Sequence, residues 1–242
     1  FFLAMSGVIL AFVLVGFART LYLRAFFEVP PVPTRLLVHG AVLTTWFVWL
    51  FVQAAMVGSG RVHAHRRLGI AGLVLGPAVV LGGLLATLGV ASRIAENGLD
   101  LNADASVLGI GVTGLSLAQF AAQVMWLNFG SLATFALLLT AALLLRARPQ
   151  AHKRLMLLAS IAVLGPALAR IARWPGLGGE QGPFVPVVLL SLIVAIAIHD
   201  LVANRRLHPA TAIGGLAVIV LSVGAAVLGG SERGLELVRG LL

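Results

Sequence analysis

The sequence predicts an all-α polytopic membrane protein, a transmembrane helical bundle of about seven spans in a single domain that covers residues 1–242. Hydrophobic residues make up 60% of the chain and charged residues only 10%. A soluble domain carries about 25% charged residues, so this chain cannot cover its surface with charge. A membrane-spanning helix needs about 20 apolar residues. Seven such helices use most of the chain and leave no separate soluble domain.

Seven apolar stretches, separated by clusters of Pro, Gly and polar residues, predict the individual spans. They cover residues 1–22, 36–58, 68–92, 120–145, 154–172, 184–203 and 210–229. The chain begins with Phe1 rather than Met, which predicts that the sequence starts within a longer protein. We expect a first transmembrane helix there rather than a signal peptide, because a basic leader and a small-residue cleavage site are missing. The apolar, Gly-rich segment 104–119 either lies at the membrane interface or extends the fourth span.

The distribution of basic residues predicts the orientation. We call side A the end of the bundle with the loops after spans one, three and five and the C-terminus, and side B the opposite end. Side B carries nine of the 17 Lys and Arg residues against the single acid Asp200, in short loops against helix ends. The positive-inside rule therefore predicts a bacterial inner-membrane protein with side B and the N-terminus in the cytoplasm and the C-terminus outside.

The net charge of +9 does not predict nucleic-acid binding, because the basic residues are scattered at the ends of apolar runs. Residues in those positions set topology and contact lipid. The partners that we expect are the lipid bilayer and its anionic headgroups.

An internal repeat is visible around two histidines. Ala-His-Arg-Arg-Leu at 64–68 matches Ala-His-Lys-Arg-Leu at 151–155, and Leu-Gly-Pro follows each at 75–77 and 164–166. Both motifs open a span from side B, which predicts a parallel repeat that relates helices two and three to helices four and five. The alternative is a chance match in a biased composition. We expect Pro77 and Pro166 to kink their helices.

Five of the six histidines fall near side B, and they predict a cofactor site. Imidazoles in one layer could ligate a divalent metal or supply axial ligands to haem b. The predicted metal ligands are His63, His65, His152, His199, Asp200 and His208. The predicted cofactor-binding residues are His65, His152, His199, His208, Arg66 and Arg154. The alternative is that each histidine contacts a lipid headgroup at its own helix end.

Basic pairs next to two of these histidines also suggest an anion. Arg66 and Arg154 belong to pairs predicted at helix N-termini, where the helix dipole disfavours cations. A lipid phosphate or a haem propionate would compensate for that cost. The absence of cysteine excludes thiolate metal sites, iron–sulfur clusters and covalently attached c-type haem.

On side A, Arg170 and Arg173 precede Trp174 as an aromatic and basic anchor. His39 and Glu180 are placed to approach them. We expect a structural ion pair there.

The pattern resembles a family of bacterial polytopic membrane proteins with no settled function. The resemblance covers helices two to seven, and its most specific part is His-Lys-Arg-Leu-Met at 152–156. The other matching segments are His39-Gly40 with Trp46 and Gln53, Gly60-Arg61, His65-Arg66-Arg67-Leu68-Gly69, Ala172-Arg173-Trp174-Pro175 and His208-Pro209-Ala210-Thr211. The family is distantly similar to YozB-like proteins, some of which are linked to haem–copper oxidase assembly, and to helical b-type cytochromes.

The resemblance implies haem or metal binding in a protein linked to a respiratory or other redox membrane complex. The alternative is a non-catalytic accessory or assembly subunit of a larger membrane complex. The resemblance implies no catalytic residues.

Overall fold

The computed structural model describes residues 1–27, 32–109, 112–174 and 181–241, and within those ranges the chain is all-α. Eleven α-helices are present in this part of the chain. They are α1 (Phe2–Phe17), α2 (Thr34–Gly58), α3 (Val62–Gly69), α4 (Gly72–Leu88), α5 (Val90–Glu96), α6 (Leu117–Leu144), α7 (Pro149–Ala162), α8 (Gly165–Ala172), α9 (Gln181–Asn204), α10 (Pro209–Gly229) and α11 (Glu232–Arg239).

The predicted polytopic bundle is confirmed. Five helices are long and apolar enough to cross a membrane, and two bent pairs, α3 with α4 and α7 with α8, raise the number of spans to seven if each pair counts as one. Large apolar side chains point outward along the spans; Val74 is 72% exposed and Leu144 is 76% exposed. Such a surface suits lipid and not water. The described chain is therefore a multi-pass membrane protein.

The core of the bundle lies around α6 and α7. Trp46 on α2 is fully buried, stacks edge-on against Phe135 of α6 at 5.0 Å between ring centroids, and donates its indole N–H to Ser160 Oγ at 3.1 Å. Because an unpaired indole N–H in an apolar core is costly, this hydrogen bond ties α2 to α7 at the centre of the molecule.

The close approach of α1 to α8 requires a glycine. A Cβ atom on Gly16 would overlap the carbonyl of Ala167, whose carbon would lie 2.9 Å away. Only hydrogen at this position lets the two helices pack backbone to backbone, as small residues do in membrane bundles.

The two bent pairs carry the repeated His-basic motifs, but their bends differ in position. The bends are 45° between α3 and α4 and 47° between α7 and α8. Pro166 lies in the first turn of α8, next to its bend, as expected. Pro77 lies inside α4, and the break comes earlier, between Gly69 and Gly72. The 45° bend of this pair therefore lies before Pro77, and a kink of α4 at Pro77 itself stays a prediction.

Segment 104–116 does not extend the fourth span within its described residues. Ser116 and Gln119 form a capping box that begins α6 at Leu117, with Gln119 N–H donating to Ser116 Oγ at 3.2 Å. Asp104 caps a short 3₁₀ turn at Ala105–Leu108, and the hydrogen bonds from Ser106 hold the pKa of its carboxyl below the usual range.

A short amphipathic helix on side A, α11, has no counterpart among the predicted spans. Its Leu235 and Val238 are buried against α6, and Trp126 donates its indole N–H to the carbonyl of Gly234 at 2.9 Å. α11 has eight residues, far fewer than a membrane span needs, so the pattern of apolar spans does not reveal it.

The ion pair predicted on side A stays a prediction, because Glu180 lies outside the described residues. Arg170 donates from Nη1 to the carbonyl of Pro166 at 3.0 Å, and its guanidinium lies 4.4 Å from the ring centroid of Phe17.

Candidate functional site

The predicted histidine layer lies at one end of the bundle, but its members have separate environments. Phe1 at the start of α1 stacks on His199 near the end of α9, with ring centroids 4.0 Å apart. The start of α1 and the end of α9 therefore both lie at side B. His63 and Arg66 are exposed on α3 and take part in no side-chain hydrogen bond with other described residues.

His65 is bound by an amide of the neighbouring helix. The Gln53 amide is oriented so that both its nitrogen and its oxygen make hydrogen bonds. In this orientation its nitrogen donates to Nδ1 and to the carbonyl oxygen of His65. Its oxygen accepts from the backbone N–H of Gly69 at 3.0 Å and from the indole N–H of Trp49 at 3.2 Å. Because Nδ1 accepts, the proton of the neutral ring sits on Nε2. His65 therefore lacks a free lone pair for a metal.

His152 has the opposite tautomer. Its Nδ1 lies 2.9 Å from the carbonyl oxygen of Ala142. A carbonyl only accepts, so Nδ1 carries the proton and the lone pair of Nε2 remains available, the arrangement found in metal-ligating histidines.

His208 caps α10. Its Nδ1 accepts the backbone N–H of Ala210 at 3.1 Å, which leaves the proton on Nε2. Burial, and next the positive charge of Arg154, lowers the pKa of His208. The neutral ring that the cap requires is thereby favoured.

Asp200 belongs to a buried ion pair with Arg154, and the two side chains are 0% and 1% exposed. One carboxylate oxygen accepts from two guanidinium nitrogens of Arg154. The other accepts from Thr211 Oγ1 at 2.5 Å and from the backbone N–H of His208 at 3.2 Å. The remaining guanidinium nitrogen of Arg154 donates to the carbonyl and side-chain oxygens of Gln150 at 2.7 and 2.9 Å. We call this set of residues the side-B ion-pair network.

This network leaves little of Asp200 or Arg154 for a cofactor. Every strong acceptor direction of the carboxylate is used inside the protein, so Asp200 does not orient an imidazole ring. Within the described ranges, no group of three or more His, Asp or Glu side chains is arranged to hold a metal ion. His152 is one predicted ligand whose tautomer leaves a nitrogen free for a metal. The predicted metal and haem sites stay predictions.

The predicted anion site at helix N-termini is wrong in its placement. α3 begins at Val62, which puts Arg66 in its last turn, where a cation is favoured by the helix dipole. α7 begins at Pro149, whose fixed φ suits the first helical position. Arg154 consequently lies in the second turn of α7 and faces Asp200.

A groove on side B was not predicted. It lies between α6, α7 and α10 and has a volume of about 580 Å³. Its walls are apolar and include Leu138, Leu155 and Ala217. Arg148 and His208 stand at its polar end, and no carboxylate is among the described residues that line it. We call this feature the side-B groove. The sequence signal for its polar end was the Arg148-Pro149-Gln150 turn.

Comparison with models of known protein families, with curated proteins and with solved structures yields no match for this chain. The class of protein is therefore defined by the fold, as an all-α multi-pass membrane bundle. The resemblance to YozB-like proteins and to b-type cytochromes stays a prediction.

Proposed function

We propose that this membrane protein binds an anionic amphiphile of the bilayer, a molecule with a phosphate-type headgroup and an apolar chain, in the side-B groove. One observation carries the proposal: an apolar groove of about 580 Å³ ends at Arg148 and His208. Pockets that bury a small ligand have volumes of about 300–1,000 Å³, apolar walls and a few placed polar groups.

The polar end of the groove supplies donors. The guanidinium of Arg148 makes no side-chain hydrogen bond to another described residue, and its five N–H groups match a phosphate. His208 Nδ1 accepts from Ala210, so its Nε2–H is available to donate. The carboxylate nearest to His208, that of Asp200, is already neutralised by Arg154. An anionic headgroup is therefore favoured here over a cationic one.

The apolar walls suit a hydrocarbon chain that enters from the surrounding lipid. Ile213, at the edge of the groove, is 70% exposed. Burial of apolar chain contributes about 0.8 kcal/mol for each CH₂ group removed from water, but that gain is absent in lipid. Selectivity for one amphiphile must therefore come from the headgroup contacts.

Native mass spectrometry tests the proposal. The protein is transferred from nanodiscs of phosphatidylcholine and phosphatidylglycerol into detergent, and the retained lipid is identified. We expect retention of phosphatidylglycerol. Arg148→Gln should reduce its occupancy by about ten-fold or more, since hydrogen bonds to charged groups contribute about 1.5–3 kcal/mol. Ala217→Trp should also reduce it, by filling the groove.

Arg146→Gln is the matched control. Arg146 lies in the same turn, is exposed, and does not line the groove. Equal losses in Arg146→Gln and Arg148→Gln would indicate general attraction of lipid to a basic surface and would contradict the proposal. So would wild-type protein that retains no phosphatidylglycerol.

A second candidate function rests on the tautomer of His152. The free lone pair on Nε2 of His152 supports haem or metal binding, and with it a link to a respiratory or other redox membrane complex. Absorption spectra and metal analysis of purified protein test it, and His152→Ala should abolish any visible band. If wild-type protein has no band and no metal, the redox hypothesis fails, and the alternative to it is a non-catalytic accessory subunit of a larger membrane complex.

A further inference from the structure

Gln150 belongs both to the side-B groove and to the side-B ion-pair network. It lies in the first turn of α7, lines the groove next to Arg148, and accepts at its side-chain oxygen from Nη1 of Arg154 at 2.9 Å. A guanidinium only donates, so this contact fixes which end of the amide faces Arg154. The amide nitrogen is turned away from the network, and none of the described residues accepts a hydrogen bond from it. Gln150 therefore offers two N–H donors to the groove.

The orientation of this amide is held by buried charge. Arg154 is 1% exposed, and its Nε and Nη2 donate to the carboxylate of Asp200. Its Nη1 also donates to the backbone carbonyl of Gln150 at 2.7 Å. Because the guanidinium is bound on all sides within the protein, the oxygen of the Gln150 amide stays occupied. Arg154 is therefore a positioning residue for the groove, although it does not line it.

The polar residues that line the groove offer donors and no free acceptor. The guanidinium of Arg148 only donates, and His208 donates through Nε2–H because its Nδ1 caps α10. The backbone carbonyls of these residues are also in use. Those of Arg148 and His208 each accept two backbone N–H groups, and that of Gln150 accepts from Arg154. A headgroup that brings an ammonium group therefore finds no hydrogen-bond acceptor among the described residues of the polar end.

We infer that the side-B groove excludes amphiphiles whose headgroup carries an ammonium group, and that Gln150, held by Arg154, determines this specificity. The inference rests on the proposed function and narrows its ligand to phospholipids whose headgroup offers the acceptor oxygens of phosphate and hydroxyl groups. Unpaired polar and charged groups are how a site rejects the wrong partner.

Net charge alone does not make this distinction. Phosphatidylglycerol and phosphatidylserine have the same net charge at neutral pH, but only phosphatidylserine has an ammonium group. The ammonium and the carboxylate of serine are on the same carbon atom, so the carboxylate cannot approach the donors of the groove without the ammonium. The two lipids therefore separate the effect of hydrogen-bonding character from that of charge.

Competition between these two lipids tests the inference. The protein is transferred into detergent from phosphatidylcholine nanodiscs that contain equal amounts of phosphatidylglycerol and phosphatidylserine, and native mass spectrometry measures the ratio of the two retained lipids. We expect wild-type protein to retain about ten-fold or more phosphatidylglycerol than phosphatidylserine, because the ammonium gives up hydrogen bonds to water and gains none in the groove.

Gln150→Glu exchanges the donors of the amide for an acceptor. One carboxylate oxygen still accepts from Arg154, and the other can accept from an ammonium group. A negative charge in the first turn of α7 is favoured by the helix dipole, so the variant should fold. We expect the ratio of phosphatidylglycerol to phosphatidylserine to fall by about ten-fold or more. The added charge by itself should affect both lipids equally.

Ala147→Glu is the matched control, because Ala147 is exposed in the turn before α7 and does not line the groove. It should lower the retention of both lipids and leave their ratio unchanged. Equal retention of the two lipids by wild-type protein would overturn the inference and leave the proposed function in place. So would a ratio that Gln150→Glu does not change, or that Ala147→Glu lowers as much. Wild-type protein that retains neither lipid would contradict the proposed function itself, and the inference with it.

Discussion

The carboxylate of Asp200 shows how single residues are held in the apolar interior. It accepts hydrogen bonds from a guanidinium, a hydroxyl and a backbone N–H that belong to or flank α7 and α10. A buried charge without such partners costs several kcal/mol. The side-B ion-pair network therefore joins α7, α9 and α10 and specifies how they meet.

Removal of one charge of the Asp200–Arg154 ion pair should destabilise the protein more than removal of both charges. Asp200→Ala leaves the guanidinium of Arg154 buried and uncompensated, and we expect it to lower the free energy of unfolding by about 3–5 kcal/mol. The double variant Asp200→Leu with Arg154→Leu should lose less, because neither charge remains. Unfolding in a detergent titration measures both. A single variant that is no less stable than the double variant would contradict the proposed role of the network.

Sequence reasoning located these side chains but not their partners. The histidines and Asp200 were predicted at one end of the bundle, and Phe1 against His199 agrees with that. Which atoms face each other depends on the rotation of each helix about its axis, which the mean hydropathy of a span does not report. For this reason the sequence named Gln53 only as part of the family pattern, without its partner His65.

The helices of the bundle differ in how closely their backbones approach those of neighbouring helices. Gly16 lets α1 contact the carbonyl of Ala167, whereas Gly224 on α10 has no atom within 4 Å of its Cβ position among the described residues. The same residue type therefore has a packing role in one helix and none in the other.

This contrast predicts opposite effects of one substitution. Gly16→Ala should destabilise the bundle by about 1–3 kcal/mol, because the new methyl group overlaps the backbone of α8. Gly224→Ala should be neutral or stabilising by up to about 1 kcal/mol, since alanine favours the helix over glycine. Thermal unfolding of the two purified variants is the measurement. If Gly16→Ala is as stable as Gly224→Ala, α1 does not pack on α8 in this way.

The long spans were predicted to within a few residues because their apolar runs end at clear polar clusters. The starts of the two bent pairs were harder to predict, because the first helix of each pair is only partly apolar. These helices begin at Val62 and Pro149, a few residues before the His-basic motifs. α11 was missed because its charged face lowers the mean hydropathy of any window that contains it.

The two ends of the whole molecule face different solutions, because a bundle that crosses the membrane has one end in the cytoplasm and the other outside. The side-B groove lies at one of these ends. The predicted orientation, with side B in the cytoplasm, places the opening of the groove at the inner leaflet.

Cysteine labelling tests that orientation cleanly, because the chain contains no cysteine of its own. Asn97→Cys is on side A and Ala147→Cys is on side B, and both positions are exposed. A membrane-impermeant maleimide should label Asn97→Cys in intact cells and should label Ala147→Cys only after the membrane is opened. The reverse pattern would place the side-B groove outside.

The ion pair between α7 and α9 also constrains how the protein is made. Arg154 enters the membrane during synthesis before Asp200, which lies 46 residues later. A charged residue at the centre of a helix opposes insertion by about 2.5–3.5 kcal/mol. Arg154 lies in the second turn of α7, near the side-B end, where its guanidinium can reach the lipid headgroups until the carboxylate of Asp200 arrives. α7 is therefore expected to stay beside the translocation machinery, or at the lipid headgroups, until α9 and α10 emerge. A nascent chain halted before Asp200 would be a poorly integrated intermediate.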